Sequence, residues 1–365
     1  MTRHNLYFTV EQELLLKSIL FQGDEAIKAW EQWDSLVDIN NVDYGSVRLF
    51  PQIYQLLKTN NIDIVYLNKL RGIYKKTIIK NKILYHYAID IIRKFNKSEI
   101  KTVILKGGGL ILGGYYQDSG LRPMDDIDIL VPYDQKEKAV DILHDLGWTS
   151  LSDLKISSIR HSGAYYKGSY SIDLHWYFLI TGIDVELDLP LWDRVVQTNY
   201  YQEPVYILNP TFQLMYVCLH GHHWNSVPPI RWIVDAHAII TKHGVEINWQ
   251  ELVENVKRRK MSVAMHGALN ILHKHFNILI PDSVLKELSS GKNVLENIWY
   301  SVAIRKPIPI IGAHFKLFIQ YLLLHRNKFP FPGYIRYLKI HWDLNSGWLV
   351  PLCGIKKIYR KLKKF

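Results

Sequence analysis

Cysteine is nearly absent. Cys218 and Cys353 are the only two in 365 residues, and both lie in apolar surroundings. That excludes a disulfide framework. Uninterrupted apolar runs of membrane length are also missing. The most apolar stretch, Pro307 to Leu324, follows Arg305 and Lys306 and is broken by His314, Lys316 and Gln320, so no transmembrane helix is expected. Met1 to Glu13 has charged and polar residues and no apolar h-region, so a signal peptide is not expected and a cytoplasmic protein is the default. The Gly-x-x-x-x-Gly-Lys-Ser/Thr order of a P-loop does not occur. Long polar tracts and internal repeats are absent too, and 13% aromatic residues argue against disorder. Acidic residues are outnumbered, 34 against 45 Lys and Arg, leaving a formal charge of +11. This surplus favours anionic partners, among them nucleotides, nucleic acid, phosphorylated substrates and an anionic membrane face.

What is present falls into three zones. Residues 1–98 read as an N-terminal helical region. Leu14, Leu15, Ile19 and Leu20 begin one amphipathic run, and Ile73, Ile78, Ile79, Ile83, Leu84, Ala88, Ile91 and Ile92 form a long second one. Residues 99–207 carry short β-branched runs between turn residues and read as a small α/β core. Strands are expected at Thr102–Leu105 and Asp126–Val131, a helix from an Asp134 N-cap to Leu146, and a hairpin across Gly168 and Ser169. Residues 208–365 read as a C-terminal helical domain with a basic tail. The fold class is therefore α+β, a small mixed-sheet core flanked by helical regions.

The segment Arg122-Pro-Met-Asp-Asp-Ile-Asp-Ile-Leu-Val131 carries the chemistry. Side chains alternate along a strand, so Asp126 and Asp128 share one face while Ile127 and Ile129 enter the core. Adjacent carboxylates repel unless a cation neutralises them. Oxygen ligands favour Mg²⁺ or Mn²⁺ over zinc. Asp173 lies on a later strand, Ser171-Ile-Asp-Leu-His-Trp176. Three carboxylates on neighbouring strands could hold two ions roughly 3.5–4 Å apart, as in-line phosphoryl transfer requires. Asp173 would also serve as proton acceptor. The plain alternative is a set of strand-edge acids facing water. His175 shares the face of Asp173, behind the ligands or against substrate.

Lys106-Gly107-Gly108-Gly109 follows the first strand. Glycines let backbone approach a phosphate and adopt positive φ, and helix N-terminal amides face an anion. Lys106, Gly107 and Gly108 are expected to contact the triphosphate of an NTP. The alternative is a tight turn with a solvated lysine. Arg122 is expected to clamp phosphate oxygens, or else to pair with Asp125 or Asp126.

Taken together, Leu105-Lys106-Gly107, Arg122-x-x-x-Asp126-Ile-Asp128-Ile-Leu-Val131, Asp173-Leu-His-Trp176 and Arg231-Trp-Ile-Val-Asp235 resemble a bacterial family of uncharacterised nucleotidyltransferases on the DNA polymerase β-like fold. The resemblance runs from about Ile100 to Trp249. It implies metal-dependent transfer of a nucleoside monophosphate from an NTP to a small-molecule or peptide acceptor, with a place in modified-peptide biosynthesis. Enzymes or toxins acting on RNA or protein, and a catalytically dead scaffold, are the alternatives on this fold. Nucleic acid is not the favoured partner. Many relatives place Ser after the glycine pair, where this chain has Gly109.

Two further features remain. His220, His222, His223 and His237 lie near Asp235, but no Cys or Glu stands at ligand spacing, so packing and capping are expected rather than zinc. Arg231 and Asp235 are spaced to pair on a helix surface. Ile355, Ile358, Tyr359, Leu362 and Phe365 mark an apolar face in a lysine-rich tail. A terminal helix docked by that face is expected, with binding to an anionic membrane or nucleic acid as the alternative.

Overall fold

The computed structural model describes residues 8–150, 160–180, 183–221, 229–290, 293–304, 311–325, 333–342 and 344–362. Five helices open the chain: α1 (Val10–Leu20), α2 (Gly23–Leu36), α3 (Tyr44–Val47), α4 (Phe50–Thr59) and α5 (Leu67–Lys97). The central elements are β1 (Val103–Ile104), α6 (Lys106–Leu112), β2 (Ile127–Leu130), α7 (Lys136–Asp145), β3 (Thr149–Ser150), β4 (Ser162–Lys167), β5 (Tyr170–His175), α8 (Val185–Trp192), β6 (Val196–Tyr200) and β7 (Glu203–Ile207). Helices α9 (Pro210–Gly221), α10 (Arg231–His243), α11 (Trp249–Arg258), α12 (Ser262–Phe276) and α13 (Asp282–Ser290) follow. The last are α14 (Val294–Ala303), α15 (Ile311–Gln320), α16 (Gly333–His341) and α17 (Leu349–Leu362). The fold is α+β, with helical regions on both sides of a mixed sheet.

Local chemistry sets several boundaries. Thr9 caps α1 in a reciprocal box with Gln12. Asp134 does not cap α7 as expected; it sits in a 3₁₀ turn, Tyr133–Gln135, and Gln135 is the N-cap without a side-chain bond. The fixed φ of Pro132 starts that turn one residue early. Gly147, at φ +78°, ends α7 through a conformation other residues adopt only at a cost.

The seven-stranded sheet runs β3-β4-β5-β2-β1-β7-β6. Strand β2 is antiparallel to β1 and parallel to β5. The β2/β5 register pairs Ile127 with Ile172, Asp128 with Asp173, Ile129 with Leu174 and Leu130 with His175. One sheet face sends Ile127, Ile129, Ile172 and Leu174 into a core with Ile91 and Ile92 of α5 and Leu143 of α7. The other joins Val103, Leu105 and Leu130 to a larger core with Phe212 and Tyr216 of α9. Burying each aliphatic side chain contributes about 1.5–3 kcal/mol. A one-residue slip of β5 would exchange Ile172 and Leu174 for Asp173 and His175 in the core with α5 and α7, so apolar packing fixes which acids meet.

The tail departs from expectation. Helix α17 packs by Val350, which is buried with Tyr337 and Leu338 of α16. Leu352, Ile355 and Tyr359 stay exposed, because the side that docks carries Val350, Gly354 and Lys357. The side chains of Ile358 and Leu362, and Phe365 itself, lie outside the described residues.

Candidate active site

The β2/β5 pairing brings Asp128 and Asp173 side by side on one sheet face. His175 adds its imidazole: Nε2 lies 3.1 Å from Asp128 Oδ1 and 3.1 Å from Asp173 Oδ2. Lys106 Nζ bonds Asp128 Oδ1 and stands 3.9 Å from Asp173 Oδ2. Asp126 enters the site just before β2 and is half-buried. Two anions are thus matched by two cations, with Asp126 left over.

The protonation states follow from this matching. Burial works against charge on Lys106, but the carboxylates of Asp128, Asp173 and Asp126 overcome it and raise the ammonium pKa. His175 is fully buried, which alone would lower its pKa; Asp173 and Asp128 reverse this and raise it. Burial would raise Asp173, yet His175 and Lys106 hold it well below the usual carboxylate range. Asp128 is likewise held low, against burial, by Lys106 and His175. Asp126 goes the other way. Burial and the nearby Asp128 charge push it up to about 6.

The turn from β1 into α6 is built differently from the sequence expectation. Lys106 itself, not a glycine, takes the left-handed conformation, at φ +46°. Such a backbone is strained for a residue with a Cβ, and it points Lys106 at the carboxylates. The glycines are needed for close packing. A Cβ on Gly107 would come within 2.8 Å of Met124 Cγ, and one on Gly109 within 2.4 Å of the Ile104 carbonyl oxygen. A serine at position 109 therefore has no room on this backbone.

The stretch from Ser119 to Asp125, which leads to Asp126, is gripped from three helices. Asn81 of α5 donates to the carbonyls of Ser119 (2.6 Å) and Arg122 (2.9 Å) and accepts from the Met124 amide (3.3 Å). Gln52 of α4 donates to Leu121 O. Arg231 of α10 donates to Pro123 O at 2.7 Å. Asp125 binds Arg48 and Lys80, at 2.7 and 2.5 Å. Arg122 pairs with neither Asp125 nor Asp126. Its Nε and Nη2 form a buried two-pronged bond to Asp235, both at 2.7 Å, and its Nη1 donates to Pro123 O. Tyr116 donates to the same Asp235. The surface pair expected between Arg231 and Asp235 is thus replaced by two buried contacts to the stretch before β2.

Other polar groups border the centre. The Tyr216 hydroxyl is buried, with no hydrogen-bond partner among the described residues, and so are both amide atoms of Gln213. Gln213 stands 3.9 Å from the place of a Cβ on Gly109. The His161 ring lies 5.2 Å from that of His175. Burial, reinforced by His175, lowers the His161 pKa to about 3, so it is neutral. Among the described residues the cluster suited to a metal is Asp128, Asp173 and His175, whose ligand atoms lie within 4.8 Å of one another. The histidine group of α9 and α10 makes no such cluster there; His222 and His223 lie outside the described residues. Alternation had placed His175 on the correct face. Asn81, Gln52 and Tyr116 carried no local signal, since each acts on a partner at least 38 residues away.

Comparison with known proteins gives a family. A search of the curated proteins finds no match. Two solved structures are similar at 15% identity. One is the antibiotic-resistance factor ANT(2'')-Ia, covering 54% of this chain and 99% of its own, with a TM-score of 0.34. The other is an antigenic nucleotidyltransferase-like protein from Paracoccidioides brasiliensis, covering 56% and 96%, with a TM-score of 0.35. A family model described as uncharacterised nucleotidyltransferase matches residues 31–277, from α2 through α12. With well over half of its length inside that match, the chain belongs to the uncharacterised nucleotidyltransferase family.

Proposed function

We propose that the protein transfers a nucleoside monophosphate from an NTP to a small-molecule or peptide acceptor, with Mg²⁺ or Mn²⁺ as cofactor. The observation that carries this reading is the pairing of Asp128 with Asp173 across β2 and β5, with Asp126 at the entrance. The donor set suits a hard divalent cation: oxygens of Asp128 and Asp173 converge with the His175 imidazole within 4.8 Å, and Asp126 beside them has its pKa raised by burial and by the Asp128 charge. Asp126, Asp128 and Asp173 would hold the metal, which when bound supplies charge neutralisation for the phosphoryl group. The rest of the work is positioning. Lys106 bonds Asp128, and a triphosphate would compete for its ammonium as a compact point charge. The amides of Gly107 and Gly108 open α6 and would face the same phosphates. Asp173 would accept the acceptor's proton; a phosphate that drew Lys106 away would lift only the smaller part of the pull on the Asp173 carboxylate, the larger coming from His175. Arg122 is spent on Asp235, so its part is to hold the path into β2.

The near-complete burial of Asp128 and His175 supports a small or extended acceptor over a nucleic-acid duplex. A place in modified-peptide biosynthesis rests on the family resemblance. One observation favours a second reading, a scaffold without catalysis: Lys106 and His175 already neutralise Asp128 and Asp173. Incubation with each α-labelled NTP, Mg²⁺ and a cell extract tests both. Metal-dependent labelling of an acceptor, lost in Asp128→Asn, supports transfer. Absence of labelling, together with no metal-dependent NTP binding by calorimetry, leaves the scaffold.

A further inference from the structure

We propose that α17 is a docking helix for an anionic lipid surface, independent of the nucleotide site. Trp348 is 90% exposed, Leu352 64%, Ile355 65% and Tyr359 56%. Their spacing of four, three and four residues puts them on one stripe of the helix and its leading turn. The opposite side makes the contacts with the protein. Val350 enters the small core of α16, a Cβ on Gly354 would lie 3.8 Å from the Trp342 ring, and Lys357 Nζ lies 4.7 Å from the centre of that ring. An amphipathic helix that packs by a mixed face and leaves Trp348, Leu352 and Ile355 in water presents an apolar patch for a partner. Ile335 of α16, 50% exposed and in reach of Gly347, extends the patch.

Charge selects the partner. From Asn345 to Phe365 the sequence holds six basic residues, Lys356, Lys357, Arg360, Lys361, Lys363 and Lys364, and no acidic one. Lys356 borders the stripe and is exposed. An apolar stripe edged by lysine matches the boundary between acyl chains and anionic headgroups, where a helix lies flat. No helix among the described residues is long and apolar enough to cross the bilayer, so the contact is with one leaflet. A nucleic acid would satisfy the lysines and leave the stripe wet. A second copy would cover the stripe but bring two basic tails together.

Flotation of the full-length protein with vesicles tests the assignment. Binding is expected to mixed phosphatidylserine and phosphatidylcholine vesicles and not to phosphatidylcholine alone, and it weakens with added salt. Leu352→Glu combined with Ile355→Glu is expected to weaken it about tenfold or more. Lys356→Glu weakens it less. The substituted side chains are exposed, so thermal melting should stay unchanged and confirm that the variants fold. Failure to float with the mixed vesicles overturns the proposal, as does equal binding by the double variant. A dimer in sedimentation equilibrium that the double variant dissolves assigns the stripe to a second copy instead. Binding of RNA that the double variant abolishes, without vesicle binding, also overturns it.

Discussion

Asp128 and Asp173 are direct partners on adjacent parallel strands, and one imidazole nitrogen of His175 is equidistant from both. Removing either charge therefore has unequal effects on chemistry and on stability. Asp128 is 3% exposed and bonded by both Lys106 and His175. Asp128→Asn should abolish transfer and also destabilise the metal-free protein by about 2–4 kcal/mol, because two buried cations lose their shared partner. Urea unfolding in the presence of a chelator measures this. An unchanged midpoint would show that the Lys106 and His175 contacts contribute nothing.

Asp126 should behave in the opposite way. Its pKa of about 6 in the folded chain exceeds the ordinary carboxylate value, from burial and from Asp128. Above pH 6 its charge costs stability; as pH falls below 6 the folded state takes the proton first, and the cost shrinks until it is gone below the ordinary carboxylate value. Asp126→Asn should thus be more stable than the parent at pH 8 by on the order of 2–3 kcal/mol, and the gap should shrink to about half by pH 5 and close only near pH 4 and below. Melting curves of both proteins across that range, without metal, decide it. A gap that is constant with pH sinks the assignment.

How much of this was legible in the sequence depends on distance along the chain. Alternation within Asp126 to Val131 and within Ser171 to Trp176 gave the faces of the acids, because that information is local. The register of β2 against β5 was not local; it depends on which aliphatic side chains fit under α5 and α7. The positive φ of Lys106 was hidden for a related reason. Glycine normally takes such a position, and three glycines follow, but close packing against Ile104 and Met124 had already claimed them. Arg122 looked like a phosphate ligand because its partner, Asp235, lies 113 residues away. The tail's periodicity was correctly seen and its docked side was not, since among the described side chains Val350, Gly354 and Lys357 are those that meet α16 and the loop after it.

The buried link between Arg122 and Asp235 predicts a clear order of substitutions. Asp235→Asn leaves a buried guanidinium without its carboxylate and should cost about 3 kcal/mol or more. Arg122→Lys keeps the charge but loses the two-pronged geometry and should cost less. Tyr116→Phe removes one bond to the same carboxylate and should cost about 1 kcal/mol. Thermal melts rank the three. If Tyr116→Phe proves the most damaging, the carboxylate is held mainly by the phenol.

Gly109→Ser would place a hydroxyl after the glycine pair, as the family resemblance leads one to expect there. Here it should lower stability by about 1–3 kcal/mol, since its Cβ meets the Ile104 carbonyl at 2.4 Å. The same variant should weaken NTP binding by disturbing α6. Tighter NTP binding in a calorimetric titration would mean that the backbone yields and that the hydroxyl reaches phosphate.

Between Ser119 and Met124 the grips from α4, α5 and α10 fall on carbonyl oxygens and one amide. Main-chain atoms are common to every residue type, proline's missing amide aside. Much of the route into β2 is thus specified by side chains elsewhere in the chain. Ser119 can be exchanged with little effect on the course of the chain, whereas exchanging Asn81 alters it. A mutational scan confined to the vicinity of the carboxylates would rate such positions as tolerant and would pass over the residues that decide where Asp126 stands.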